Sequence, residues 1–192
     1  GELGKYLVHL GSGCVYEGDN NGRGWREGDE PNFQGSFYSL TKQWSEKLLK
    51  NYDNVLQLRI RMPIDSTPSP RNFITKITKY SKVINEQNSF TIIDEDFFKC
   101  IKRLVSEKHT GVFNLVNTGS VNHEFILKGY KKFVDTEYDY ELFTNEELGK
   151  ITLAGRSNCV LDNSKLSKIY MMPRVEDAIL KALSNYPKNA SL

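Results

Sequence analysis

Apolar positions along the chain alternate between two periods. Tyr6-Leu7-Val8-His9-Leu10-Gly11 is a nearly continuous apolar run ending in glycine, the pattern of a buried parallel strand that enters a loop. Over 36–52 the apolar residues Phe37, Leu40, Trp44, Leu48 and Leu49 recur at helical spacing, and Asp53-Asn54 closes the segment. Val55 to Arg61 then alternates as a strand, stopped by Met62-Pro63. Helix followed by strand is half of a crossover unit, so the fold class expected is α/β with a parallel sheet.

Polar stretches punctuate this pattern. Glu17 to Asn32 is a long loop rich in Gly, Asn, Asp and Glu, a length that is uncommon unless the loop is functional or mobile. Its Trp25 either covers a substrate or anchors the loop. Ser66 to Arg71, with Pro68 and Pro70, reads as a linker or an active-site loop. Phe73, Ile74, Ile77, Tyr80 and Val83 restore helical spacing, and Phe90 to Ile93 reads as a short strand. Asp94 to Glu107 is a predicted helix with Asp94 as its cap, Gly111 to Val116 a strand, and Asn122 to Val134 a helix. Ile151 to Leu153 is a strand candidate, and Asn163 to Ile169 and Val175 to Leu183 are terminal helices.

Composition narrows the setting. The 192 residues carry 26 basic and 24 acidic side chains, interspersed, for a net charge of +2, which gives no stripe for nucleic acid. No apolar run approaches the roughly 18 residues of a membrane span, and the start lacks a signal-peptide pattern, so no membrane partner is expected. The cysteines Cys14, Cys100 and Cys159 have neither metal-ligand nor disulfide-framework spacing. That usage favours a reducing, cytoplasmic setting.

The chemistry lies near the front. Tyr38 and Lys42 are four apart on the predicted helix, hence on one face, where the ammonium can stabilise a phenolate and hold a ribose. Ser12 and Cys14 sit at the end of the first strand, and active sites of open α/β sheets gather where strands meet loops. Cys100 and Cys159 read as small buried hydrophobes. His9, His109 and His123 lack metal-ligand spacing and read as structural or solvated, and no metal is expected. Of Arg59 and Arg61, which alternate with Leu58 and Ile60, at least one is expected to be a structural ion-pair partner. No glycine-rich strand-turn-helix for a pyrophosphate precedes these residues, so the chain is expected to be the C-terminal part of a longer reductase.

Four segments occur in order: Gly11-Ser12-Gly13-Cys14-Val15-Tyr16, Gly35 to Lys42, Leu58-Arg59-Ile60-Arg61-Met62-Pro63-Ile64, and Arg71 to Ile77. This set resembles the nucleotide-rhamnose synthase/epimerase-reductase family of the extended short-chain dehydrogenases/reductases. Arg156 to Leu166 is similar to the Arg-Pro-x-Asn-Ser-x-Leu-Asp segment of dTDP-4-dehydrorhamnose reductases, with Ser157 where that segment has proline. The resemblance implies the C-terminal part of a Rossmann-like doubly wound sheet over 1–65, with the Ser/Tyr/Lys site. It implies a small α/β substrate-binding region over 66–192, interleaved with the remaining Rossmann elements.

The activity so implied is conversion of UDP-4-keto-6-deoxy-D-glucose to UDP-L-rhamnose by 3,5-epimerisation and then 4-reduction with NADPH (or NADH). Ser12 and Tyr38 would hold the sugar oxyanion, and Cys14 and Lys76 would transfer protons on opposite faces. A thiol and an amine ordinarily titrate near about 8.5 and 10.4, within reach of tuning by their surroundings. Read from the helix alone, Lys76 has an equal alternative as an edge lysine reaching water. Tyr38 and Lys42 would also hold the nicotinamide ribose, with the Pro63-Ile64 backbone beside the nicotinamide. Asn72, Arg156 and Asn158 are candidates for sugar or diphosphate contacts. Alternatives are a dTDP-4-dehydrorhamnose reductase, a GDP-fucose synthase-like enzyme and a noncatalytic reductase-like regulatory subunit. The oligomeric state is open, with a homodimer compatible.

Overall fold

The computed structural model describes residues 4–143, 147 and 155–188. Three parallel strands form the central sheet: β1 (Leu7–Ser12), β2 (Val55–Ile60) and, beside β2 on its other side, the strand at Gly111–Asn114. Leu58 pairs with Leu10 on one side and with Phe113 on the other. The crossover between the first two strands is α1 (Phe37–Leu49), which starts where Ser36 Oγ accepts the Ser39 N–H and so satisfies one of the orphan donors of the first turn.

β3 (Pro63–Ile64) leads to α2 (Phe73–Ile77), β4 (Lys82–Ile84), β5 (Gln87–Asn88) and β6 (Thr91–Ile92). α3 (Glu95–Ser106) carries the expected Asp94 cap, and β7 is the Gly111–Asn114 strand. β8 (Val121–Asn122), α4 (His123–Phe133), β9 (Glu141–Phe143), α5 (Ser164–Ser167) and α6 (Val175–Ser184) complete the described elements. Short ladders tie them together: β3 with β6 and β4 with β9 in parallel, and β5 with β8 antiparallel.

The two faces of β2 differ. Leu56 and Leu58 pack with Phe97, Cys100 and Leu104 of α3 and with Phe113 and Leu115, an apolar core closed to water. From the intervening positions, Arg59 reaches Glu46 of α1, and Gln57 donates to the Glu46 carbonyl. Arg61 follows at the strand end; Gln57, Arg59 and Arg61 are all buried although polar. A second core gathers Ile64, Ile74, Phe90, Ile92, Ile126 and Ile179 under the cleft described below.

Three features refine the expected pattern. Among the described residues β1 pairs with β2 alone, and Leu7 and Leu10 are 47% and 52% exposed. The helical spacing that runs to Val83 is realised only as far as Ile77, because Val83 belongs to β4 and pairs with Leu142, far along the chain. The 17–32 loop is pinned: Trp25 stacks on the buried Tyr16 ring at 4.9 Å, bridges Leu161, and donates its indole N–H to the Gly18 carbonyl. Trp25 is thus the anchor of that loop. The strand expected at 151–153 lies outside the described residues. No helix among the described residues is long and apolar enough to cross a membrane.

Candidate active site

Tyr38 and Lys42 emerge from the first turns of α1, and Lys42 Nζ lies 5.6 Å from the Tyr38 ring centroid. Tyr38 is 53% exposed, and neither its hydroxyl nor the Lys42 ammonium makes a hydrogen bond among the described residues. The helix lies against β1 closely enough for the Lys42 charge to be felt at His9: burial, and then Lys42, hold that imidazole below its ordinary range, while Glu46 opposes them. The pair therefore projects beside the strand that ends at Ser12.

Ser12 is buried, and its Oγ accepts the Cys14 N–H at 3.1 Å, which folds the chain back so that the thiol follows the hydroxyl. A Cβ at Gly13 between them would stand 2.6 Å from Leu161 Cδ1 and 3.3 Å from Arg61 Cδ, so the absence of a side chain there lets both close on the backbone. The Cys14 sulfur is half-buried and meets Arg61 Nη1 at 2.9 Å. Arg61 Nη2 donates to Asn88 Oδ1 at 2.5 Å and to the Ser157 carbonyl.

Ser157 stands where the resembled segment has proline, and its hydroxyl donates to the Tyr16 carbonyl at 2.6 Å, a bond proline could not make. Asn88 also donates to Asn158 Oδ1 at 3.1 Å. A hydrogen-bonded chain thus runs from Ser12 through Cys14, Arg61 and Asn88 to Asn158.

That chain ends at a cleft of about 600 Å³ whose lining includes Met62, Phe73, Lys76, His123, Arg156 and Asn158. Lys79 and Lys82 add to its rim, and none of its described lining residues is acidic. A cationic cleft with an apolar floor suits an anionic ligand that also carries a ring. Lys76 and Arg156 are exposed there, whereas Lys82 is paired with Glu141 at 2.7 Å. Met62 turns the chain from β2 into the cleft wall with φ of +38°, a left-handed conformation costly for a side chain with Cβ and typical of functional sites.

The remaining candidates have other placements. Ile64 is fully buried in β3, and its carbonyl accepts the Ile93 N–H at 2.7 Å; Pro63 is half-buried beside it. Asn72 is 3% exposed and caps α2: its carbonyl accepts the Ile74 N–H, and its amide donates to the Asp65 and Thr67 carbonyls at 2.6 and 2.9 Å. Its polar atoms hold the 65–72 loop to the start of α2. Cys100 and Cys159 are sealed from solvent, and burial pushes the Cys100 thiol up to about 12.

Two participants escape a reading of motifs. Arg61 is 1% exposed and touches the thiol, for which the one signal was its two-residue spacing from Arg59 on an alternating strand. His123, a helix-start residue in the sequence, is in the cleft wall between Phe73 and Phe90. Burial, aided by Arg61 and Arg156 and opposed by a hydrogen bond with the Ile84 backbone, brings it down to about 4, so it is neutral at physiological pH. No group of three or more potential metal ligands occurs among the described residues.

No protein-family model matches the chain. It is 46% identical over 171 residues to a bifunctional dTDP-4-dehydrorhamnose 3,5-epimerase/dTDP-4-dehydrorhamnose reductase of Arabidopsis thaliana, covering 86% of this chain and 56% of that protein. It is 44% identical over 173 residues to a trifunctional UDP-glucose 4,6-dehydratase/UDP-4-keto-6-deoxy-D-glucose 3,5-epimerase/UDP-4-keto-L-rhamnose-reductase of the same plant, covering 87% of this chain and 26% of that one. The crystal structure of the L780 UDP-rhamnose synthase of Acanthamoeba polyphaga mimivirus superposes with a TM-score of 0.90 at 36% identity, over 96% of this chain and 66% of that one. A dTDP-4-dehydrorhamnose reductase of Bacillus anthracis, solved with NADP, shares the fold at a TM-score of 0.72 and 18% identity, over 94% of this chain and 66% of that one. The chain spans little more than half the length of the bifunctional relative. By these similarities it belongs to the nucleotide-rhamnose synthase/epimerase-reductase family.

Proposed function

We propose that the protein carrying this chain is a bifunctional 3,5-epimerase/4-reductase that converts UDP-4-keto-6-deoxy-D-glucose to UDP-L-rhamnose. The observation that carries this reading is the cationic cleft at Lys76, Arg156 and Asn158, joined through Asn88 and Arg61 to the Cys14 thiol. A reductase that does not epimerise has no use for such a thiol and amine, and here the thiol is linked by hydrogen bonds to the cleft that Lys76 lines.

Carbons 3 and 5 flank the ketone at carbon 4, so their protons are acidified by the enolate that forms when they leave. Cys14, as thiolate, takes such a proton while the electron pair moves to the carbonyl oxygen, where the Ser12 and Tyr38 hydroxyls hold the oxyanion. The Lys76 ammonium returns a proton to the carbon from the other side, which inverts the centre. Arg156, with its forked guanidinium, suits the diphosphate, and Asn158 the sugar.

The residues present fit the nicotinamide end of NADPH, or of NADH: the Tyr38 phenol and the Lys42 ammonium form a pair projecting from the start of α1, both side chains unspent on protein hydrogen bonds among the described residues. Bound there, the cofactor supplies the hydride for carbon 4. There Tyr38 would give its proton to the carbonyl oxygen, Lys42 would steady the phenolate and the ribose, and the Pro63-Ile64 segment would border the nicotinamide.

We also propose the division into a dinucleotide-binding part over 1–65 and a substrate-binding region over 66–192, with β1 as the edge on which the rest of a doubly wound sheet adds. Cytoplasmic location belongs to the same reading, as does a homodimer, to be checked by sedimentation.

The test uses the full-length protein in deuterated water without reductant. Deuterium should enter carbons 3 and 5, and Cys14→Ala should stop it. Tyr38→Phe should lower the reductive turnover by about 10²–10⁴-fold, the usual contribution of a positioned acid. Absence of exchange in the unaltered protein would remove the epimerase half and leave a reductase.

A further inference from the structure

Arg61 poses a problem of charge. A guanidinium cannot shed its proton in a protein, and burying it without an anion is costly. Arg61 is 1% exposed, yet no carboxylate among the described residues pairs with it; its Nη2 has two neutral oxygens, and its Nε is buried without a partner. Its Nη1 is 2.9 Å from the Cys14 sulfur.

Cys159 is the other nearby thiol, but it is fully buried, its sulfur donates to the Gly13 carbonyl at 3.3 Å, and burial pushes its pKa up. Among the groups that Arg61 touches, Cys14 is therefore the one that can take a negative charge and is also partly open to solvent. The backbone holds the arrangement rigid: the Arg61 N–H donates to Thr91 Oγ1 at 3.0 Å, and the Thr91 N–H to the Arg61 carbonyl at 2.7 Å.

We infer that Arg61 is a positioning residue for the epimerisation: it is the buried counter-cation that aims the Cys14 sulfur and stabilises the thiolate that removes the substrate proton. This rests on the proposed reading of Cys14 as a base. The step is a proton transfer and balances: sulfur gains the proton, its lone pair forms the S–H bond, and the C–H pair becomes the enolate. The thiolate is regenerated when the proton is passed on, and Arg61 stays charged throughout.

The experiment separates this inference from the reading under it. Peptide-resolved alkylation of the full-length protein with iodoacetamide at pH 7, without substrate, measures the thiolate at Cys14 directly. Cys14 should react at least about tenfold faster than glutathione, Arg61→Met should lose that excess, and Arg61→Lys should regain part of it, with the ultraviolet absorbance of the thiolate following the same order. Deuterium exchange into the substrate should fall in parallel in Arg61→Met, and Arg61→Lys should regain part of it.

Ordinary reactivity of Cys14 in the unaltered protein would overturn the role of Arg61 even if Arg61→Met does not fold. So would Arg61→Met alkylation and exchange equal to those of the unaltered protein. If Cys14→Ala leaves deuterium exchange intact, the base assignment fails instead, and the role of Arg61 in epimerisation falls with it, whatever the alkylation rates.

Discussion

Arg59 and Arg61 lie two residues apart at the end of β2, and both are closed to water, at 0% and 1% exposure. Arg59 is fully compensated. It donates through Nε and Nη2 to the two oxygens of Glu46, at 2.7 and 2.6 Å, and its guanidinium lies 5.1 Å from the Tyr16 ring centroid. Burial alone would raise Glu46, but the hydrogen bonds and charge of Arg59, with Lys50, outweigh it and leave the carboxyl below its ordinary range. Arg61 has a thiol and neutral oxygens in place of a carboxylate. One strand therefore holds a cation whose field is used up in folding and, a turn of the pleat later, a cation whose field is left over for a reacting group.

Breaking the compensated pair should have the largest effect. Arg59→Met leaves the buried Glu46 with the half-exposed Lys50 as its remaining counter-charge and should cost about 3–5 kcal/mol in chemical denaturation, while adding Glu46→Leu should recover much of it. A single-variant loss under about 1 kcal/mol, the range of exposed pairs, would mean that Arg59 is no more committed to folding than a surface residue.

Acid should then separate the two regions. His123, held near 4, resists protonation in the folded protein, whereas the unfolded chain takes the proton near 6.5. The stability it contributes is complete above 6.5 and declines as the pH falls toward 4, by up to about 3 kcal/mol. Glu46 is shifted in the same direction from a lower starting value: its contribution is present above the unfolded value of 4.5 and is lost only as the pH falls through its depressed folded value. The Arg61 side, where a protonated His123 would add a second cation, should weaken first. Melting temperatures of His123→Phe should lose the decline between 6.5 and 4.5, and an unchanged slope would remove His123 from this account.

The smallest effect on stability belongs to Arg61→Met. It leaves the Asn88 and Ser157 oxygens without that donor, and the Cys14 sulfur can answer the loss of its counter-cation by taking a proton, so it should cost about 1–3 kcal/mol, less than Arg59→Met. A larger loss than for Arg59→Met would reverse the contrast and make Arg61 chiefly a structural cation.

Regular periods were the legible part of the fold. α1, α3, α4 and α6 appear where helical spacing put them, and the Asp94 cap accepts the Phe97 N–H as its position implies, because these elements are decided by neighbours three and four residues away. Val83 was misread because its environment is set by Leu142 of β9, and no local period reports a partner so distant. The apolar run of β1 suits a strand with neighbours on both sides, and in a chain that spans little more than half of the bifunctional relative β2 is its one described neighbour.

The candidate site divides along similar lines. Tyr38 and Lys42 were legible from their spacing, and an ion pair at Arg59 or Arg61 from alternation. The meeting of Arg61 with Cys14, 47 residues apart, depends on the missing side chain at Gly13 and on the turn at Met62. Neither residue announces that role in the sequence.

β1 carries one more consequence. With β2 on one side only, it presents a free line of amide and carbonyl groups flanked by the exposed Leu7, Val8 and Leu10. Such an edge is a template for any extended strand that meets it, so two molecules of this segment prepared by itself would tend to zip together and aggregate. Charged replacements at Leu7 and Leu10 are the direct remedy for keeping it dispersed at the concentrations that spectroscopy requires.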